Sequence, residues 1–210
     1  KHWPQSNICD CGQCFRWDRQ DNGNYIGVVY GRVIEVERRE NDLVIYNTNE
    51  EDFKNIWAEY FDLYRDYGET KNILSEDSIV KKSIEFGYGM RLLKQDPFEL
   101  IVSFIISANN RIPMIKRAIK NISSTWGEKL EYKGQAFYSF PSIERLNSAT
   151  LEELQNCGTG FRNKYIKDTV SKIYSMGIPG TEKYDEKFDI QWIKQQEDDV
   201  CHKELQKFMG

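Results

Sequence analysis

Three cysteines lie within six residues near the start of the sequence, in the stretch CDCGQCFRW at residues 9–17. Thiolates at this density can bind a metal ion or form a redox-active disulfide. A structural zinc ion needs four ligands, commonly as two separated pairs, and no second Cys-x-x-Cys or His-x-x-x-His pair occurs. A thioredoxin-type centre is disfavoured as well, because no βαβ pattern surrounds Cys11 and Cys14. Gly12 lies between them and is the other candidate, since glycine lets a backbone approach a flat ligand closely.

A second group of polar residues follows an apolar segment in SFIISANNRIPMIKR, residues 103–117. Asn109, Asn110 and Arg111 lie between this segment and the most basic part of the chain, since residues 100–127 contain four basic side chains and no acidic one. Asparagines at a helix end usually act as capping and turn residues. Their place beside a local positive charge is equally consistent with binding a polyanion.

A third candidate is LEELQNCGTGFRNKYI, residues 151–166, in which two leucines three residues apart run into Gly-x-Gly before a second apolar helix. This is a helix-hairpin-helix pattern. A tight glycine turn can expose backbone N–H groups beside a helix N-terminus, and such groups bind a phosphate without side chains. Arg162 and Lys164 follow the turn and favour this function. Plain αα-hairpins with glycine turns are also frequent, so the motif alone does not decide between the two.

The elements that position these residues belong to a globular protein. The 210 residues are 40% hydrophobic and 13% aromatic, which is enough for a substantial core. The most apolar run, around residues 98–106, is too short to cross a bilayer, and no signal peptide is recognisable. We therefore expect an intracellular protein with mostly reduced cysteines. The net charge of −4 argues mildly against a nucleic-acid partner, although a local basic surface can still bind one.

Two kinds of pattern follow each other along the chain. Residues 25–48 contain three short β-rich runs, which predict an antiparallel sheet. Apolar residues then recur at helical spacing over residues 53–64, and all later elements are predicted to be helices. The predicted fold class is α+β, with a twisted antiparallel sheet domain at residues 1–90 and a helical domain at residues 91–210.

Several helix boundaries are predicted by local signals. Asp96 and Pro97 indicate a capped helix start, and the segment after them is apolar nearly all round, which predicts a buried central helix. Thr150 is placed to cap a short helix, Gly127 to end the helix before it, and Gly177 to end a later one.

Four motifs together carry a resemblance to a known family. GQCFRW, QDPFELIVSFIISANNRI, CGTGFRNKYI and LQKFMG follow the predicted sheet in this order. Over nearly its whole length the sequence resembles the 8-oxoguanine DNA glycosylases of the helix-hairpin-helix superfamily. The resemblance implies a base-excision repair enzyme that flips 8-oxoguanine out of duplex DNA, excises it and cleaves the strand by β-elimination. It implies no metal or organic cofactor, no membrane, no obligate protein partner, and a monomer in the cytoplasm and nucleoid or in the nucleus.

The resemblance assigns base recognition to the first motif. 8-Oxoguanine carries an N–H donor at N7 where guanine carries an acceptor, so one carbonyl oxygen can attract the first base and repel the second. Each of these effects is worth ~1–3 kcal/mol. Gly12 matches the glycine that presents this carbonyl in the family. Cys14 is expected beside the base pocket, and Phe15 is expected to anchor the site in the core together with Trp17.

The resemblance assigns DNA contacts to two other motifs. Asn109 matches the asparagine that fills the space left by the flipped nucleotide, with Arg111 in the same loop. Arg162 matches an arginine that hydrogen-bonds the orphaned cytosine, and Phe161 an aromatic wedge that offsets an unstacking cost of a few kcal/mol. Met114 stands where many relatives have a second cytosine-reading arginine, which should relax the requirement for the opposite base. The alternative for Met114 is a core methionine.

The residues that perform catalysis in the family are expected after Gly210. The resemblance implies a lysine whose amine attacks C1′ of the flipped nucleotide and forms a Schiff base, assisted by an aspartate. Lys203 and Lys207 precede the turn that Gly210 would begin, so neither is assigned this role. Residues 1–210 by themselves are therefore expected to be inactive and to form no borohydride-trapped adduct with DNA.

Two alternative functions are left open by the sequence. A non-enzymatic helix-hairpin-helix module could hold DNA through its phosphates alone, and a cysteine-cluster protein could bind a metal. Comparing duplexes that contain 8-oxoguanine or guanine separates a glycosylase from the DNA-binding module, since the module has no reason to prefer either base. A zinc assay tests the second alternative.

Overall fold

The computed structural model describes residues 8–40, 42–176, 185 and 188–208. The chain divides into two compact units, residues 1–95 and 96–210. An antiparallel sheet with helices forms the first unit, and helices dominate the second. The predicted α+β fold class is therefore confirmed. The assignment of functional domains to residues 1–90 and 91–210 stays a prediction.

The sheet of the first unit is a meander of four antiparallel strands. In chain order and in spatial order they are β1 (Trp17–Arg19), β2 (Tyr25–Val29), β3 (Arg32–Arg39) and β4 (Asp42–Tyr46). The last three coincide with the three β-rich runs of the sequence. β1 is missing from the prediction, because three residues are too few to show the alternation of a strand. Tyr30 and Gly31, with φ of 48° and 70°, form a two-residue turn between β2 and β3 whose twist matches that of the strands.

Trp17 lies at the centre of the core that the sheet helps to form, and its side chain is fully buried. Its indole N–H donates to the Tyr60 hydroxyl over 3.0 Å, and its ring centroid lies 6.2 Å from that of Phe61. Gly27 on the neighbouring strand is required by this packing, since a Cβ atom there would lie 2.5 Å from the Trp17 ring. Trp17 therefore fixes the end of the segment that carries Gly12.

Helix α1 follows the sheet at residues 50–60. It consists of Glu50–Asp52, a π-helical turn at Phe53–Trp57, and Ala58–Tyr60. The sequence pattern predicts a helix as far as Tyr64, but Asp62 adopts a left-handed φ of 50° and the helix ends before it. Two further helices are α2 (Tyr67–Leu74) and α3 (Ser78–Phe86), and every residue of both is at least partly exposed.

Helix α4 is the central element of the second unit, because it contacts α5, α8 and α9. The α-helices of this unit that the structure describes are α4 (Pro97–Ser107), α5 (Ile112–Trp126), α6 (Ile143–Asn147), α7 (Leu151–Leu154), α8 (Asn163–Ser175), α9 (Ile190–Lys194) and α10 (Asp198–Leu205). Val102 and Ile106 of α4 are fully buried, as predicted for a central helix, although Phe104 is exposed. None of the helices in the described part of the chain is both long and apolar enough to cross a bilayer.

Local capping explains where several of these helices begin and end. Asp96 caps α4 by accepting a backbone N–H, and Thr150 forms a capping box with Glu153 at the start of α7. Gly127 ends α5. These three predicted boundaries are confirmed. Gly177 lies outside the described residues, as do Met209 and Gly210 of the last motif.

The prediction that all later elements are helices is wrong at one place. Between α5 and α6, strands β5 (Lys129–Tyr132) and β6 (Gln135–Tyr138) pair antiparallel. Lys133 and Gly134, with φ of 50° and 74°, form the two-residue turn between them. The segment KLEYKGQAFY does carry a hairpin signal in its Lys-Gly pair, but each strand has four residues and shows little alternation.

Candidate functional site

The first group of candidate residues lies in the Gly12 loop, residues 10–16, which leads into β1. Gly12 has a φ of 84°, a left-handed conformation that glycine adopts at no steric cost. A residue with a Cβ atom would be strained there by about 1–2 kcal/mol. Gly12 is half-exposed, and among the described residues no donor is hydrogen-bonded to its carbonyl oxygen. The residue thus has the conformation and accessibility expected of a glycine that presents its carbonyl to a ligand.

Gln13 links the Gly12 loop to a distant segment of the first unit. Its side-chain Nε2 donates to the carbonyl oxygens of Ile8 (3.1 Å) and Arg91 (3.2 Å). Its Oε1 accepts from the backbone N–H of Leu93 (3.0 Å). The backbone carbonyl of Gln13 accepts in turn from Nε2 of Gln95 (2.5 Å). Two glutamine side chains therefore hold the residue that follows Gly12.

The segment to which Gln13 bonds is itself fixed by α1 and the residues after it. The guanidinium Nη1 of Arg91 donates to the Asp62 carbonyl over 2.5 Å. The backbone N–H of Lys94 donates to the Tyr60 carbonyl over 2.9 Å. Residues 91–95 are therefore a fixed support for the loop.

Asp62 adds a buried carboxylate to this support. Burial by itself would raise its pKa, but the hydrogen bond from the Tyr67 hydroxyl (2.7 Å) and the Lys94 ammonium at 3.4 Å outweigh burial. The pKa of Asp62 is therefore held below its usual value. The charged form of the carboxylate is the one that the folded unit stabilises.

The cysteines of the first motif differ in accessibility. Cys9 and Cys14 are each 2% exposed, while Cys11 is exposed, and all three are reduced. Phe15 is buried beside them in the chain. In the part of the chain that the structure describes, no three His, Cys, Asp or Glu side chains are grouped so that they could hold a metal ion. Cys14 and Phe15 thus lie on the core side of the Gly12 loop.

The second group of candidates lies in the Asn109 loop, residues 108–111, between α4 and α5. Asn109 is exposed and has a left-handed φ of 50°, which asparagine tolerates better than most residues. Asn110 donates from Nδ2 to the Ile106 carbonyl over 3.0 Å and so satisfies the end of α4. The capping role expected for asparagines here is therefore taken by Asn110, and Asn109 has an exposed side chain.

Arg162 holds the Asn109 loop from 53 residues further along the chain, and it is only 7% exposed. Its Nε and Nη2 donate to the carbonyl of Ala108 over 2.8 and 2.5 Å. Nη2 also donates to the carbonyl of Asn109 (2.9 Å), and Nη1 to that of Thr159 (3.3 Å). Four hydrogen bonds to backbone use most of the five N–H groups of a guanidinium. In this structure Arg162 therefore positions the loop, and its reading of a cytosine stays a prediction.

Phe161, next to Arg162, is the most accessible aromatic side chain of this region, with 58% of its surface exposed. The guanidinium carbon of Arg162 lies 4.4 Å from its ring centroid, and the Tyr165 ring packs edge-on at 6.4 Å. An exposed ring with two fixed neighbours has the properties of a side chain that can enter a base stack.

Arg111 and Met114 lie at the start of α5. Arg111 is exposed at the N-cap position of the helix. Met114 is 39% exposed in the first turn, which argues against its being a core methionine. Ile112 is 41% exposed as well, an apolar surface residue beside the Asn109 loop that the sequence reading does not single out.

The turn predicted between residues 151 and 166 is present, with α7 before it and α8 after it. Gly158 has a φ of 90° within this turn. The hydroxyl of Thr159 donates to the Leu154 carbonyl (2.9 Å), and Nδ2 of Asn121 on α5 donates to the Cys157 carbonyl (3.1 Å). Burial raises the pKa of the Cys157 thiol, so it behaves as a packing residue. These contacts hold the turn that leads to Phe161, and phosphate binding by the turn stays a prediction.

Known proteins resemble the chain along most of its length. The sequence signature described as "8-oxoguanine DNA glycosylase, N-terminal domain" matches residues 4–101. The N-glycosylase/DNA lyase of Saccharomyces cerevisiae is 31% identical over 186 residues, 80% of this chain and 49% of that protein. The N-glycosylase/DNA lyase OGG1 of Arabidopsis thaliana is 29% identical over 189 residues, 81% of this chain and 48% of that protein.

A solved structure decides the family. The Clostridium acetobutylicum 8-oxoguanine glycosylase/lyase, in complex with double-stranded DNA that contains cytosine opposite 8-oxoguanine, is 54% identical and superposes with a TM-score of 0.91. The match covers 99% of this chain and 68% of that one. The chain belongs to the 8-oxoguanine DNA glycosylase family. It spans about half the length of the curated relatives that it matches.

In this member of the 8-oxoguanine DNA glycosylase family the candidate residues form two groups. Gly12, Cys14 and Phe15 belong to the first unit, and their loop is held by two glutamines. The second unit holds the DNA-contact candidates together, because Arg162 hydrogen-bonds the Asn109 loop and carries Phe161 beside it. The sequence reading misses Gln13 and Gln95. Their partners lie 80 and 82 residues away, and no local pattern marks such a pairing.

Proposed function

We propose that this protein is a base-excision repair enzyme that recognises 8-oxoguanine in duplex DNA, flips it out and excises it, with an associated lyase activity. The observation that carries the proposal is the half-exposed, left-handed Gly12 in a loop held from both sides. Support comes from the Clostridium acetobutylicum glycosylase/lyase bound to DNA with cytosine opposite 8-oxoguanine, which is 54% identical.

The Gly12 carbonyl accounts for base discrimination. It accepts the N7–H of 8-oxoguanine, whereas the N7 lone pair of guanine faces the same oxygen and leaves it unpaired. The gained hydrogen bond and the unpaired-group penalty are each worth ~1–3 kcal/mol. Cys14 and Phe15 contribute from the buried side of the loop, by fixing its position under the flipped base.

The Asn109 loop and its neighbours account for holding the distorted duplex. Asn109, exposed at the tip of the loop, occupies the space of the flipped nucleotide, and Phe161 enters the stack beside it. Arg111 contacts the DNA backbone from the start of α5. Arg162 keeps Asn109 in place and reaches the orphaned cytosine with its remaining N–H. Met114 supplies no donor, so the preference for cytosine is weaker than in a homologue that has arginine at this position.

The covalent chemistry falls to a lysine and an aspartate expected after Gly210. The lysine nitrogen bonds to C1′ as the bond from C1′ to the base breaks and its electron pair leaves with the base. The C1′–O4′ bond of the sugar then opens and the nitrogen loses its proton, which gives a Schiff base that permits β-elimination. We further propose that the enzyme needs no metal or organic cofactor and acts as a monomer on DNA inside the cell. Sedimentation with and without a short duplex would test whether it is a monomer.

A comparison of two duplexes tests the function. The full-length protein is expected to release 8-oxoguanine from a duplex with cytosine opposite, and to be trapped on that duplex by borohydride. The Gly12→Ala variant is expected to lose at least tenfold in its preference for 8-oxoguanine over guanine, because the added Cβ strains the loop and obstructs the base. The matched control is Gly87→Ala, at a φ of ordinary sign with normal contact distances of 3.5 Å.

One outcome would favour a non-enzymatic module instead. The hairpin of α7 and α8 with its glycine turn could bind DNA through phosphates alone. In that case the full-length protein binds both duplexes with the same affinity and releases no base from either.

A further inference from the structure

We propose that Gln13 is a positioning residue that sets the direction of the Gly12 carbonyl and thereby the discrimination between 8-oxoguanine and guanine. The inference rests on the proposed function of Gly12. It assigns a role to a residue that touches no base, and it concerns only contacts within residues 8–95.

Glycine at position 12 creates a problem that another residue must solve. A left-handed φ of 84° is open to glycine, but glycine also moves between conformations more freely than any other residue. The Gly12 oxygen belongs to the peptide plane shared with the N–H of Gln13. Whatever fixes Gln13 therefore limits the rotation of this plane and the direction of the oxygen.

The Gln13 side chain is fixed by three hydrogen bonds to backbone groups. Two carbonyls, of Ile8 (3.1 Å) and Arg91 (3.2 Å), receive both N–H groups of its amide, and the N–H of Leu93 (3.0 Å) donates to its oxygen. Only a primary amide offers two donors and an acceptor in this arrangement. Because all three partners are backbone groups, they also determine which amide atom is the nitrogen and which the oxygen.

A second amide holds the other side of the same residue. Nε2 of Gln95 donates to the Gln13 carbonyl over 2.5 Å. The side chain and the main chain of Gln13 are thus both attached to residues 91–95. That segment is attached to the rest of the unit through Arg91 and Asp62 and through Lys94 and Tyr60.

The consequence for recognition follows from preorganisation. A carbonyl that already points at the base loses no conformational freedom when the base arrives, so its full preference for N7–H is expressed. If Gln13 no longer holds it, the peptide plane turns freely, and ordering it against the N7–H costs part of the affinity for 8-oxoguanine. Contacts to DNA phosphates are made elsewhere, so binding to undamaged DNA should not change.

The test measures a ratio of affinities in the full-length protein. Equilibrium binding is compared for two duplexes, one with guanine and one with an 8-oxoguanine nucleotide whose 2′-fluorination prevents excision. Gln13→Met, which keeps the length of the side chain but removes all three hydrogen bonds, is expected to lower the ratio of the two affinities about tenfold while leaving the affinity for the guanine duplex within twofold. Gln20→Met is the matched control and should leave the ratio unchanged. Among the described residues, the Gln20 side chain bonds only to the nearby Asp18 carbonyl at an exposed site (2.9 Å).

A second variant keeps the test decisive if Gln13→Met does not fold. Gln95→Met removes one hydrogen bond to the Gln13 carbonyl and should lower the ratio about threefold. The inference is overturned if the wild-type protein prefers the 8-oxoguanine duplex and each of the two variants that folds shows the same ratio of affinities as the wild type. If the wild-type protein itself binds both duplexes alike, the proposed function fails, and the inference fails with it.

Discussion

The Gly12 loop and the Asn109 loop both hold a left-handed residue in an irregular backbone, but they are held by different chemistry. Neutral amides hold the first, through one acceptor and three donor contacts of Gln13 and Gln95. A guanidinium holds the second, through three donor contacts of the nearly buried Arg162, and a fourth joins Arg162 to Thr159 in the turn between α7 and α8.

An amide and a guanidinium constrain a loop in different ways. An amide accepts as well as donates, so it fixes the orientation of a peptide plane, which suits the role in base recognition that we propose for the Gly12 carbonyl. A guanidinium only donates, and its charge makes each bond stronger, which suits the proposed role of the Asn109 loop in holding a side chain within a distorted duplex. The loss of a hydrogen bond to a charged group also costs more free energy than the loss of a bond between neutral groups.

The largest effect is expected at the charged support. Arg162→Met leaves the carbonyls of Ala108, Asn109 and Thr159 without their donor, which should lower the free energy of unfolding by about 2–4 kcal/mol. Urea unfolding of the full-length variant measures this loss. Lys164→Met, at an exposed position two residues later, should change stability by less than about 0.5 kcal/mol. Equal losses for the two variants would contradict the assignment of Arg162 as a support.

The next effect compares the left-handed glycines of the two regions. Gly12→Ala and Gly158→Ala, at φ of 84° and 90°, should each cost about 1–2 kcal/mol in stability because alanine is strained in that conformation. Denaturation midpoints measure both, with Gly87→Ala as the unstrained control. Only Gly12→Ala is expected to lower the preference for 8-oxoguanine as well, so a loss of preference in Gly158→Ala would break the separation of the two roles.

A smaller effect is expected from pH, and only on the side of the Gly12 loop. The pKa of Asp62 is depressed in the folded unit, so its stabilising contribution is present above the unfolded pKa of about 3.9 and is lost as the pH falls through the folded value. The stability difference between wild type and Asp62→Asn should be largest near pH 7 and shrink below about pH 4. A difference that stays constant from pH 7 to pH 3 would show that the charge of Asp62 is not what stabilises the support.

The smallest effect uses two buried cysteines as local probes. Cys14 reports on the Gly12 loop and Cys157 on the turn before Phe161, and they are 2% and 5% exposed. Gln13→Met should speed thiol labelling of Cys14 severalfold and leave the labelling rate of Cys157 unchanged. Arg162→Met should speed labelling of Cys157 and leave that of Cys14 unchanged, because each side chain limits local opening only in its own region. Labelling followed by peptide mass analysis reads both sites, and the exposed Cys11 provides the unprotected rate. Acceleration at both cysteines in one variant would mean that it opens the whole protein.

Local signals in the sequence predict the elements well. The Asp96 cap and the Thr150–Glu153 capping box act over three residues, so the starts of α4 and α7 are predictable and observed. The elements that sequence reasoning misses or misassigns are β1 and the β5–β6 hairpin, which have three and four residues per strand. Strands this short owe their existence to a pairing partner more than to their own pattern.

The α+β order, the family motifs and the position of Gly12 are all predictable from the sequence, because each depends on residues that are close together in the chain. The side chains that support the two loops, in contrast, are seen only in the folded protein. Gln13 meets Leu93 across 80 residues, and Arg162 meets Asn109 across 53. Such pairs form because packing brings distant backbone groups together, and a buried carbonyl or N–H group must then find a partner wherever the fold supplies one.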